Sequence, residues 1–190
     1  MKTRPAAQYA LLGTLMSGPK HGYEMMQFLD AALSSTWRVG PSQLYSVLRR
    51  LEKQGLLESA VQAQETRPSK RVFSITPEGE KVFLDWLKQP AAHVRDLRVE
   101  FLARIFFFEH LSLEGAEALI EGQIKRLERL RDRLVKTKKE ENRSYERLVL
   151  GFRLATVEAW LGWLIHETGP FLDRLRTGAD DRKTETWIQG

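Results

Sequence analysis

A mainly α fold with one small β-hairpin is predicted by three observations. Apolar residues recur at helical spacing along most of the chain. Two short, partly alternating runs, "LLESAVQAQ" and "KRVFSIT", flank the polar loop "ETRPS" and read as paired strands. Beyond residue 90 every apolar pattern is helical.

The elements follow in order. Ala6 to Met16 is a helix with Leu11, Leu12 and Leu15 inward, and "SGPKHG" stops it at Gly18 and Pro19. Tyr23 to Leu33 is a second helix, with Met25, Met26, Leu29 and Leu33 at helical spacing. The third begins at Pro41, a favoured first-turn residue, and ends at Gly55, a natural left-handed stop. After the hairpin, Thr76 is the N-cap and Pro77 the first-turn residue of a fourth helix burying Val82, Phe83, Trp86 and Leu87; Pro90 ends it. Val94 to His110 is strongly apolar. Leu113 to about Lys139 is long and amphipathic, with Ile120, Leu127 and Leu134 every seven residues and Ile124 and Leu130 between them, a coiled-coil-like seam. "KTKKEENRSYER" marks a hinge or solvated helix end, and Leu148 to His166 is a helix apolar nearly all round. The expected organisation is a first domain over 1–89, a helical dimerisation domain over 90–176 and a tail over 177–190.

Composition narrows the function classes. With 190 residues and 42% hydrophobic, the chain can build a packed core. It has no cysteine, which excludes disulfides and thiolate sites and fits a reducing compartment. The N-terminal "MKTRPAAQYALLGTLMSG" has the charge and apolar run of a signal peptide, but the pattern continues helically and offers no small-x-small cleavage site. No apolar run approaches the ~20 residues of a membrane span. A cytoplasmic protein with no membrane partner is therefore expected. Net charge is +5; residues 1–89 hold 12 Lys/Arg against 8 Asp/Glu, and residues 90–190 hold 18 against 17. A basic first half points to a polyanionic partner.

The four histidines, His21, His93, His110 and His166, show no metal spacing, and neither a phosphate loop nor a nucleophile elbow is present. No enzyme, metal or cofactor is expected.

Three helices and a hairpin make the winged helix-turn-helix order. On a wheel of about 100° per residue, Leu44, Val47, Leu48 and Leu51 share one side of the third helix, and Ser42, Ser46, Arg49 and Lys53 the other; Tyr45 and Arg50 flank. A recognition helix needs this division, with an oily side docked on its neighbours and a donor-rich side for the major groove. Gln43 joins that set at the helix start, and Arg67, Lys70 and Arg71 on the hairpin suit phosphate or minor-groove contact. The competing reading is a solvated helix face. The only acid near it is Glu52, at its edge.

The stretches "YALLGTLMSGPKHGYEMMQFL", "VGPSQLYSVLRRLEKQGLLES", "RVFSITPEGEKVFLDWL" and "RVEFLARIFFF" together resemble the PadR family of bacterial transcription regulators. The matching features are the His21-Gly22-Tyr23 turn, the Leu44-Tyr45 pair, the Leu48/Leu51 core and the closing wing strand. The resemblance covers about residues 6–166. The family usually has Gly-Thr where this chain has Ser42-Gln43, which leaves base preference open. The resemblance implies a dimeric repressor of a palindromic site, with dimerisation through the C-terminal helices.

The residue pattern points the same way. Ile120, Ile124, Leu127, Leu134, Phe152, Trp160 and Trp163 are the expected dimer contacts, against the alternative of an intramolecular helical hairpin. His21, Phe106, Trp160, Trp163 and His166 are candidate contacts for a small aromatic effector, with dimer core the blander reading. The expected partners are double-stranded DNA and a second copy. The alternative is a winged-helix protein–protein module on a coiled-coil scaffold that binds no DNA.

Overall fold

Residues 5–33, 38–62 and 70–176 are described by the computed structural model, with the Pro5 and Lys70 side chains left out. The elements in order are α1 (Pro5–Leu15), β1 (Lys20–His21), α2 (Gly22–Leu33), α3 (Pro41–Lys53), β2 (Leu57–Gln62), β3 (Lys70–Ile75), α4 (Pro77–Leu87), α5 (Val94–Asp96), a π-helical turn (Leu97–Phe101), α6 (Leu102–His110), α7 (Ala116–Glu140) and α8 (Ser144–Glu167). The mainly helical class with a small sheet is as expected. The hairpin proves to be two strands of a three-stranded antiparallel sheet ordered β1-β3-β2. The added strand pairs Lys20 with Phe73 and His21 with Val72. Two residues carry no strand pattern of their own; β3 recruits them.

The chain divides into two compact units, Met1–Lys88 with Leu97–Leu111, and Gln89–Asp96 with Ser112–Gly190. The expected boundary at 89/90 assigned "FLARIFFF" to the second domain; Leu97–Leu111 instead packs into the first unit. Phe101, Phe107 and Phe108 are fully buried there, and Phe107 meets Phe83 of α4 edge-on, with ring centroids 5.3 Å apart. α1 makes room by carrying Gly13, where a Cβ would stand 2.5 Å from Phe107 Cε1.

Local signals set the winged-helix geometry. α3 starts on Pro41 after an extended Gly40. It ends in a Schellman motif: Leu56 N donates to Leu51 O at 3.0 Å and Gly55 N to Glu52 O at 2.9 Å. Gly55 has φ +70°, which a side chain would strain. Thr76 then ties the hairpin's return to α4. Its hydroxyl accepts from Gly79 N at 3.1 Å and donates to Gly55 O at 2.7 Å, and its own N–H donates to Leu56 O at 3.2 Å.

One buried polar group escapes any pattern argument. Arg104 on α6 is 3% exposed. Its Nε donates to Trp86 O at 3.0 Å, its Nη2 to Glu100 Oε2 at 3.2 Å, and its guanidinium lies 4.4 Å from the Trp86 ring centroid. Tyr9 of α1 stacks on the same indole at 4.8 Å, planes 6° apart. Aromatic and charge-assisted contacts thus replace the water this arginine has lost.

In the second unit α7 and α8 pack on each other. The linker is fastened to α7: the buried Gln123 Oε1 accepts from Ala91 N at 2.7 Å, and Arg126 Nη2 donates to Ala92 O at 3.0 Å. Between α7 and α8, Arg143 donates two side-chain hydrogen bonds to Glu141 at 3.1 and 3.0 Å. That guanidinium holds the Glu141 carboxyl down at about 2.

Helix from Ser144 to Arg176 is long and apolar enough to cross a membrane by length and composition alone, and only 22% of its most apolar window is buried. The expectation concerned an unbroken apolar run, and this segment meets only the average. Arg153 and Glu158 interrupt the apolar run without lowering the average enough to fail it.

Candidate nucleic-acid interface

α3 divides as the wheel requires. Leu44, Val47, Leu48 and Leu51 are buried. Ser42, Ser46, Arg49 and Lys53 are exposed, and Gln43 is half-buried. Arg50, on the flank, is half-buried and donates to Gln8 Oε1 at 3.5 Å.

Tyr45 is 48% exposed, and its ring lies on Gly22 at the start of α2. A Cβ at Gly22 would stand 2.9 Å from Tyr45 Cε1 and from its hydroxyl oxygen. The glycine of the His21-Gly22-Tyr23 turn is what admits the tyrosine of α3. The ring is thus positioned by α2 and open to solvent.

The wing is built by β2 and β3, with Leu57 opposite Ile75 and Val61 opposite Arg71. Arg67 lies outside the described residues, and Lys70 is placed by its backbone alone. Arg71 is also engaged within the fold. Its Nη2 donates to Glu52 Oε1 at 2.7 Å and Oε2 at 2.9 Å, and its Nε donates to Ser59 Oγ at 2.7 Å. Ser59 Oγ donates in turn to Glu52 Oε1 at 2.6 Å. The acid at the edge of the exposed face of α3 is therefore covered by a cation. Sequence reasoning did not single out Val61, which is 72% exposed on the wing.

The effector candidates do not form one set within either unit. His21 is half-buried in the sheet of the first unit, with its N–H on Glu24 Oε2 at 2.7 Å and Nδ1 3.3 Å from Arg71 O. Phe106, also in the first unit, stacks on His110 at 5.4 Å, with Phe28 at 6.0 Å. In the second unit, Trp160 and Trp163 meet edge-on at 5.6 Å and His166 is exposed.

The dimer candidates also separate. Ile120, Leu127 and Leu134 are buried within one chain, which is the intramolecular alternative; a heptad seam does not say which helix closes it. Ile124 is half-buried, while Tyr145, Leu148 and Phe152 of α8 are 72%, 71% and 73% exposed. Residues 125–139 hold 8 Lys/Arg against 2 Asp/Glu, so local basic excess is not confined to the first unit.

Residues 11–85 match the transcriptional regulator PadR-like family. The chain carries a PadR-like domain. Residues 97–166 match a second family, described as virulence activator alpha C-term. The negative transcriptional regulator PadR of Bacillus subtilis is 29% identical over 119 residues, 63% of this chain and 65% of that protein. The probable transcriptional regulator Rv1176c of Mycobacterium tuberculosis is 27% identical over 90 residues, 47% of this chain and 48% of that one. The matched stretches therefore span less than two thirds of either relative, and both are named as regulators, not enzymes. A crystal structure of Bacillus subtilis PadR in complex with operator DNA is similar at 24% identity and a TM-score of 0.44, covering 83% of this chain and 93% of that one.

Proposed function

We propose that this PadR-like chain is a DNA-binding transcription regulator, a cytoplasmic homodimer that represses by occupying a palindromic operator. The observation that carries the reading is the exposed face of α3: Ser42, Ser46, Arg49 and Lys53 point outward, and the acid at its edge, Glu52, is covered by Arg71. Small hydroxyls permit close approach to base edges, and Arg49 reaches a guanine edge or a phosphate. Gln43 and Tyr45 border this face. Lys53, Arg67 and Lys70 serve the backbone. Two copies offer two recognition helices, with half-sites about one DNA turn, ~34 Å, apart.

The dimer rests on α8. Tyr145, Leu148 and Phe152 fall on the side opposite the buried Leu150, Val157, Leu161 and Leu164, with Trp163 on the same outer side at half exposure. A stripe of this kind calls for a cover. A second α8 leaves Arg153 and Glu158 at its edge, whereas a bilayer would hold both charges near its centre at about 2.5–3.5 kcal/mol each. We favour the second copy. An aromatic effector belongs to this reading only as a further step, and flat Trp-fluorescence titrations across a panel of aromatic acids would remove it.

The test is binding to DNA from directly upstream of the gene, followed by footprinting. A protected palindrome supports the proposal. A stable dimer that binds no DNA there or in a random-sequence pool supports the protein–protein module instead.

A further inference from the structure

Resting on the reading that α3 enters a DNA groove, we propose that Arg71 is a positioning residue that sets the wing against the recognition helix, rather than a phosphate ligand. The triad draws one residue from each of three elements: Glu52 from α3, Ser59 from β2 and Arg71 from β3. Both Glu52 oxygens are engaged by Arg71, and Ser59 Oγ is at once donor and acceptor. The guanidinium also lies 5.5 Å from the centroid of the buried Phe73 ring, the next inward residue of its strand.

The position of the triad gives it leverage. The Val61–Arg71 pair is one step from the end of the ladder at Gln62–Lys70. The ladder fixes β2 against β3, while the turn after Lys53 and the core around Leu51, Leu57 and Phe73 join the pair to α3 at its base. The triad is a second attachment nearer the tip, and two attachments define an angle where one leaves a hinge. It also accounts for Glu52. An acid beside a phosphate-facing surface repels DNA; an acid that anchors the wing repays that cost in geometry.

The claim inverts the simple electrostatic expectation, which makes it testable with Glu52→Gln, Arg71→Gln and the double variant, using a duplex from directly upstream of the gene. We expect Glu52→Gln to weaken binding by about three- to tenfold although it removes a negative charge. The double variant should bind no more weakly than either single one. Arg71→Gln should leave the slope of log K against log salt unchanged, whereas loss of a phosphate ligand lowers it by about 0.9. In the free protein, amide exchange at residues 60–62 and 71–73 should speed up in each single variant.

Tighter binding by Glu52→Gln, a reduced slope for Arg71→Gln, or unchanged exchange would each overturn the positioning role. A parent protein that binds no duplex overturns the DNA reading instead. The exchange rates, measured without DNA, keep the two failures apart.

Discussion

Tyr45 of α3 rests on Gly22 of α2, so close that a Cβ on Gly22 would stand 2.9 Å from the tyrosine hydroxyl. The displaced group would be the end of a side chain, not backbone, so Gly22→Ala should fold and move the ring. If that ring borders the DNA face, Gly22→Ala weakens operator affinity by about fivefold, roughly 1 kcal/mol, with little change in melting temperature. A fluorescence-anisotropy titration measures this, and unchanged affinity would remove Tyr45 from the interface.

Gly79 is a different case because its neighbour is backbone. A Cβ there would run into the Leu56 carbonyl oxygen, which also accepts from Thr76 N. Gly79→Ala must push β2 away from α4 and should cost about 2–4 kcal/mol. Thr76→Ala, which removes an N-cap oxygen, should cost about 1 kcal/mol. Urea unfolding of both variants checks the order; a smaller loss for Gly79→Ala would contradict this packing.

The two sides of α8 and α7 should respond oppositely to mutation. Phe152→Glu, placed on the exposed stripe, should leave the fold intact and weaken self-association by about 2–4 kcal/mol, roughly 30- to 1000-fold. Leu127→Ala, inside the helical pair, should lower stability by about 2–5 kcal/mol. Sedimentation equilibrium and denaturant melts read the two effects. A Phe152→Glu protein that dimerises like the parent would move the interface elsewhere.

The α7–α8 turn should hold in acid. Arg143 depresses the Glu141 carboxyl to about 2, so the contribution of this pair is fully present above the ordinary carboxylate range and is lost only as pH falls through about 2. An NMR titration of the Glu141 side chain should give a midpoint near that value, and Arg143→Ala should return it to the ordinary range. An ordinary midpoint in the parent protein would mean that the pair is open in solution.

Much of the winged helix was legible because its signals are local. Pro41, Gly55, Thr76 and Pro77 act on their immediate neighbours, and the wheel of α3 needs only its own residues. What escaped the sequence depends on distant partners. β1 exists because β3 lies beside it. Arg71 read as a free cation because Glu52 and Ser59 meet it only in the fold. Arg104 drew no reading of its own, because nothing near it in sequence announces Trp86 and Tyr9. Ile120, Leu127 and Leu134 are buried, but heptad spacing serves a partner in the same chain or in another. Of the candidate DNA contacts, those on α3 were read from a regular helix; Arg67 and Lys70 were read from their place on the expected hairpin, and Arg67 lies outside the described residues.

The most direct test of the central claim is the salt dependence of binding to DNA from upstream of the gene, for the parent and for Arg49→Ala combined with Lys70→Ala. Two phosphate-neutralising residues account for about 1.8 in the slope of log K against log salt, near 0.9 each. The account predicts a steep slope in the parent, a slope shallower by up to that amount in the double variant, weaker binding, and an unchanged dimer. A double variant that binds with the parent's affinity and slope would contradict it.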